Sequence, residues 1–316
     1  DDVLPGREWL FPESVLRDET PSRKDGVAPE MEAHERLRGC NLIHVVARKL
    51  DIPRTCCATA QMMFHRFYVE KSFRKHDKNE VATACIFLAN KVEEYPKKVF
   101  VIVKAVRECL RQAPLREKTK EYVELRERIF QTERLVLHTL RFEFDFPNPY
   151  NTMMEFVQHK LNATKQFAQQ GWIFLNDSYL TDVCLQFPTS TIAAAAIYAT
   201  ARSMGVSLPS TPEPWFKSLA ESEAQLEAIT AKVREAQRKQ QERAAARTSR
   251  GGSAAPGGAS AAAAASTGSG QPVLKRAAPP PPVRPRVPSL HALPGAGAGA
   301  GGDTGEDGNP AKRMRR

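Results

Sequence analysis

The segment CIFLANKVEEYPKK, from Cys85 to Lys98, opens as an apolar run and then breaks into Lys91, Glu93 and Glu94 ahead of Tyr95-Pro96. Lys91 continues the helical steps Ala84, Leu88, Lys91, and Glu133 stands in the same way between Ile129 and Val136. Each is a charge on or beside an apolar stripe, where an unpaired ion costs several kcal/mol, so each requires a partner. Two arrangements satisfy them. Lys91 and Glu133 can bond each other and close a helical bundle, or both can sit at the rim of a surface patch and bond polar groups of another chain. Glu93 and Glu94 read first as a solvated helix end, where acidic side chains slightly oppose the helix dipole. Glu94 is left open as a candidate for the rim. Arg66 is expected to pair with a carboxylate inside the fold, and His65 reads as a satisfied helix histidine rather than a ligand.

The elements that must position these residues read as helices. Ala, Leu, Arg, Lys and Glu dominate, and strand-like alternation is scarce. Tyr122, Leu125, Ile129, Thr132, Val136 and Leu140 recur at steps of three or four, one stripe of a helix over 119–140. Residues 54–73 form another, with Pro53 at its first turn. Segment 79–93 is apolar nearly all round, which predicts a helix surrounded by others. Further helices are expected at 32–50 and 97–112. IAAAAIYATARSMG, from Ile192, repeats the central helix at an offset that sets Ile197 on Ile86, Tyr198 on Phe87 and Arg202 on Lys91. The same offset lays WIFLNDS over QMMFHRF, which predicts a tandem repeat of an all-α bundle.

Residues 1–30 read as an extension rich in turn residues, 31–146 as the first bundle and 147–242 as the second. From Arg243 to 316 the Gly/Ala/Pro-rich composition predicts a disordered basic tail. The net charge of +10 is concentrated there: eleven basic residues against three acidic ones carry +8, leaving +2 for residues 1–242. Bulk charge therefore does not suggest a nucleic-acid-binding body. No apolar run reaches the ~18 residues of a membrane span, and the first residues lack the order of a signal peptide. The six cysteines form no CxxC pair and read as buried thiols of a reducing compartment. With no Gly-rich phosphate loop, metal-ligand cluster or GxSxG elbow, neither catalysis nor a cofactor is expected.

FHRFYVEKSF, ACIFLANKVEEYPKK and TERLVLHTLRFEFDFPNPY resemble the cyclin box. TPSRKDG upstream, with WIFLNDS and AAAIYATAR downstream, resembles the transcriptional L, K and T types, over about residues 9–220. The resemblance implies two five-helix cyclin boxes and a noncatalytic subunit that binds and activates a cyclin-dependent kinase. It implies that Lys91 and Glu133 bond main-chain groups beside the kinase's regulatory helix. Phe64, Phe67, Tyr68, Phe87 and Leu88 are the candidates for apolar contact, although core is the expected role of each aromatic taken singly. Phosphorylation of the RNA polymerase II C-terminal repeats is the implied output, with an L-type role in splicing as the alternative within the family.

The stretch Glu35-Arg36-Leu37-Arg38-Gly39 is polar where cell-cycle cyclins carry an apolar docking patch, so that docking activity is not expected. The tail lacks the Arg-Ser repeats of L-type cyclins. Initiation factors of the B type also use tandem cyclin folds, but they resemble a basic body with a CxxC zinc ribbon, and this chain has neither. Lys275 and Arg276, and Lys312, Arg313, Arg315 and Arg316, form two basic clusters suited to an import receptor, which implies a nuclear protein.

Overall fold

A computed structural model describes residues 9–251 apart from 162 and 210–213, with side chains described as far as 242. Among the described residues the regular structure is helical and no strand occurs. Two short helices, α1 (Glu13–Asp18) and α2 (Pro21–Lys24), occupy the stretch the sequence suggested as a loop. Thr20 starts α2 by accepting from the Arg23 amide, and Pro21 follows at the first helical position.

The first bundle comprises α3 (Pro29–Lys49), α4 (Arg54–Glu70), α5 (Lys78–Val92), α6 (Val99–Cys109) and α7 (Lys120–Thr139). Pro53 is the residue before the first turn of α4, one position earlier than its reading as a first-turn proline. Asp77 caps α5: its Oδ1 accepts from the Asn79 and Glu80 amides at 2.9 and 3.0 Å, a contribution of about 1 kcal/mol. Ten consecutive residues of α5, Val81–Asn90, are buried, because α3, α4, α6 and α7 all pack around it.

The second bundle has five helical elements: α8 (Pro149–His159), α9 (Lys165–Ser178), a 3-10 turn at Val183–Leu185, α10 (Thr189–Met204) and α11 (Glu223–Gly251). α4 begins at Arg54 and α9 at Lys165, while α5 begins at Lys78 and α10 at Thr189, so both pairs keep one 111-residue spacing. In the stretch matching α6, the described residues 215–219 form turns rather than a helix. Pro214, just before them, has no amide hydrogen to give a helix. α11 continues to Gly251, beyond the boundary drawn from composition at 242.

The two bundles have separate cores that meet at α4. Phe64, Phe67 and Tyr68 belong to the first core, whereas Ala58 and Met62 belong to the second. That double duty explains why α4 is buried around most of its circumference. At its start, Arg54 Nε donates to Asn176 Oδ1 at 2.5 Å, and the Tyr150 hydroxyl donates to the same oxygen at 2.9 Å. His65 Nε2 lies 3.0 Å from the Tyr179 carbonyl, a second tie between repeats.

Candidate functional site

α5 and α7 bring Lys91 and Glu133 together. Lys91 Nζ donates to Glu133 Oε1 at 2.6 Å. The same ammonium lies 4.0 Å from the centre of the Phe87 ring, one helical turn earlier. The Lys91 side chain is 46% exposed and that of Glu133 10%. The lysine therefore reaches out over a carboxylate held at the edge of the core. An ammonium has three N–H groups, so bonding Glu133 leaves donors directed to solvent; Glu133 keeps its second oxygen as an acceptor.

The end of α5 accounts for the acidic pair. Glu94 takes a left-handed conformation with φ 56°. Its amide donates to the Lys91 carbonyl at 3.2 Å and the Tyr95 amide to that of Asn90 at 2.8 Å, closing the helix in a Schellman motif. Glu93 is anchored by the Thr59 hydroxyl, which donates to Oε1 at 2.7 Å. Glu94, immediately beyond it, is exposed.

The apolar candidates divide. Phe64, Phe67 and Tyr68 are each 0% exposed and stand in the first core, so they have no surface to offer a partner and are corrected to structural residues. Phe64 and Tyr68 meet edge to face with centroids 4.9 Å apart, and Phe67 and Tyr68 at 5.1 Å. Phe87 and Leu88 are also buried but lie on α5 toward Lys91, and Phe87 packs against Phe130 of α7 at 5.9 Å. Phe130 is the residue sequence reasoning missed. It precedes Glu133 by three residues on the same helical face, an aromatic just off the core stripe, and Arg126 lies over its ring at 5.9 Å.

The second repeat reproduces this grouping in part. Arg202 lies over the Tyr198 ring at 5.6 Å and pairs with Glu227 of α11 at 3.4 Å. Cation and ring thus come from matching places on α5 and α10, while the carboxylate comes from the second half of α7 in one bundle and from the start of α11 in the other. Here both partners of the ion pair are more than half exposed, so the second pair is the weaker of the two.

His65 is buried, as a satisfied helix histidine should be, but only on one side: its Nδ1 has no partner. Arg66 makes no close ion pair, but the Glu143 and Asp145 carboxylates lie near enough to favour its charge. It lies between aromatic rings, 5.2 Å from the centre of Trp9 and 4.7 Å from that of Phe146. Arg36 is buried and donates to Glu32 and to the carbonyls of His65 and Tyr68, which removes it from any docking surface on α3. The cysteines are free thiols; burial pushes Cys56 up to about 11 and Cys184 up to about 12. Among the described residues no group of three or more His, Cys, Asp or Glu is placed to hold a metal ion, and no helix is long and apolar enough to cross a membrane. The basic clusters of the tail lie outside the described residues.

A five-helix bundle with a central helix of small residues, repeated once and carrying a lysine–glutamate pair between its third and fifth helices, defines a cyclin-box architecture. Residues 14–145 match the family model described as cyclin, N-terminal domain, so this part of the chain is a domain of the cyclin type. It is 35% identical over 233 residues to cyclin-L1 of Gallus gallus, covering 71% of this chain and 43% of the relative. It is 34% identical over 236 residues to cyclin-T1-3 of Oryza sativa subsp. japonica, covering 73% and 48%. The chain thus spans less than half the length of these relatives. Its fold is similar to a chain of the yeast RNA Pol II CTD kinase CTDK-1 complex, at a TM-score of 0.61 and 17% identity over 71% of each chain. It is also similar to one of yeast TFIIK (Kin28/Ccl1/Tfb3), at a TM-score of 0.52 and 18% identity over 72% of this chain and 96% of that one.

Proposed function

We propose that this chain is the noncatalytic subunit of a transcription-associated cyclin-dependent kinase and supports phosphorylation of the RNA polymerase II C-terminal domain. The arrangement of Lys91 on Glu133 carries the proposal: a paired charge at a rim, with donors and an acceptor still free, suits the capture of another protein's main chain. Likeness to T- and L-type cyclins and to chains of polymerase II kinase complexes supports the output. A kinase needs its strand lysine paired with the glutamate of its regulatory helix. A subunit that binds the inward helix better than the displaced one shifts the population toward the active form. Half-buried Phe130 and the edge of Phe87 supply apolar area, with Leu88 packed behind them, and Lys91, Glu133 and Glu94 fix the register. The site of action is the nucleus, with the two basic clusters of the tail as the import signals.

Capture of the kinase by the purified chain, with charge reversals at the pair, tests this. Lys91→Glu and Glu133→Lys are each expected to weaken capture and kinase activation tenfold or more, which corresponds to about 1.4 kcal/mol. The double reversal restores the mutual ion pair and the melting temperature but not capture, because the free donors and acceptor have changed places. Recovery of capture in the double variant would reduce the pair to a structural clasp. A wild-type chain that leaves every candidate kinase unbound and inactive would overturn the proposal.

A further inference from the structure

A cavity of about 590 Å³ lies on another part of the molecule, between Trp9 and Leu10, the second half of α4 and the start of α10. Arg66, Asn148, Thr189, Ser190 and Lys217 stand on its wall. Arg66 is 4% exposed and forms no hydrogen bond or ion pair among the described residues. Its guanidinium has five N–H groups, and Trp9 and Phe146 cover its faces without accepting from them. The Glu143 and Asp145 carboxylates lie near enough to act on its charge, and Glu143 also accepts from the Trp9 indole N–H at 2.7 Å. The Arg66 N–H groups, lying between the two rings at the cavity wall, are left to donate into the cavity.

The start of α10 supplies the second half of the site. Pro188 precedes it and no side chain caps it, so the amides of Thr189, Ser190 and Thr191 have no helical partner. The first helical bond is from the Ile192 amide to the Pro188 carbonyl, 3.1 Å long. These amides, the Thr189 and Ser190 hydroxyls and the positive end of the helix dipole face the same space as Arg66. The acidic residue on the wall, Glu221, is bonded by Gln225 Nε2 at 2.9 Å. We propose that this cavity binds a phosphate monoester, presented as a phosphorylated serine or threonine of a peptide. Three phosphate oxygens match the number of donors better than a carboxylate does. The volume leaves room for flanking backbone, and Leu10, Met62 and Phe187 give apolar wall beside it. The +2 charge of residues 1–242 provides no basic track for a polyphosphate chain, which favours a peptide over a nucleic acid. The site uses neither Lys91 nor Glu133 and stands whether or not a kinase binds there.

Calorimetric titration of the full chain with a phosphoserine peptide tests the assignment, with the unphosphorylated and glutamate-substituted peptides, inorganic phosphate and a single-stranded RNA as comparisons. The phosphopeptide is expected to bind at least tenfold more tightly than its unphosphorylated and glutamate forms, and inorganic phosphate is expected to compete with it. Arg66→Gln should abolish the preference. Should that variant fail to fold, Ser190→Glu serves in its place: a carboxylate in the first turn of α10 suits the helix dipole and occupies the anion position, so binding falls tenfold or more while melting is preserved. Equal binding of phosphorylated and plain peptides, undiminished binding to Ser190→Glu, or RNA binding as tightly as the phosphopeptide would each overturn the proposal.

Discussion

At the scale of the residue, burial sets the chemistry more firmly than residue type. The His65 imidazole is pushed down to about 3, first by burial and then by the Arg36 charge, against a bond to the Tyr179 carbonyl. With Nε2–H donating to that carbonyl, a second proton would go to Nδ1, which has no acceptor. His44 is likewise lowered to about 4 by burial and the Arg54 and Arg48 charges. The folded values lie below the unfolded value of about 6.5, so both groups stabilise the fold above that pH. Their contribution is lost as pH falls toward the folded values, at up to about 1.4 kcal/mol per pH unit for each fully buried group. Urea titrations at pH 7 and pH 5 are expected to show the acid loss, and a His65→Gln variant a shallower slope. Lys91 was legible as a residue needing a partner because of its spacing. Arg66 was equally legible as needing one; Glu143 and Asp145 act on its charge, but the Trp9 and Phe146 rings that cover its faces come from distant segments and leave no local trace.

At the scale of the element, the helices were legible from periodicity and their ends were not. α3, α5, α6 and α7 close through Asp51, Glu94, Arg111 and Arg141, all non-glycine residues with φ between 51° and 57°. Among the described helices α2 and α10 do end on the expected glycine, Gly26 at φ 81° and Gly205 at φ 65°. Non-glycine residues there carry strain of about 1 kcal/mol, so Arg111→Gly is expected to raise the thermal midpoint by a few degrees at most. Gly39 shows the opposite requirement. A Cβ added there would lie 2.0 Å from Phe64 Cζ, and Phe64 is wholly buried. Gly39→Ala is therefore expected to cost about 2–3 kcal/mol in denaturant unfolding, the range of an overpacked core.

At the scale of the whole molecule, the repeats are joined by a helix that serves both. Ala58 and Met62 of α4 lie in the second core, and Arg54 reaches Asn176 across the junction. A fragment of residues 1–146 would expose that apolar face and leave His65 without the Tyr179 carbonyl. It is expected to melt below the full chain and to bind a hydrophobic dye, readable by thermal circular dichroism and dye fluorescence. Melting at the same temperature without dye binding would show that the first bundle stands alone. The repeat also explains why Arg202 and Tyr198 echo Lys91 and Phe87, one backbone spacing apart, whereas Glu227 comes from the first turns of α11 and does not match the place of Glu133 in α7.

Sequence by itself determined the all-α class, the tandem order, the central small-residue helices and the two charges at a bundle rim. Those follow from local periodicity and from the cost of an unpaired ion, both of which are written along the chain. Only the tertiary structure decided that Phe64, Phe67 and Tyr68 are core, that Phe130 joins the rim, and that Arg66 faces an uncapped helix start. Each depends on which helix turns which face toward which neighbour. Packing of segments far apart in sequence sets that choice, and no run of adjacent residues encodes it.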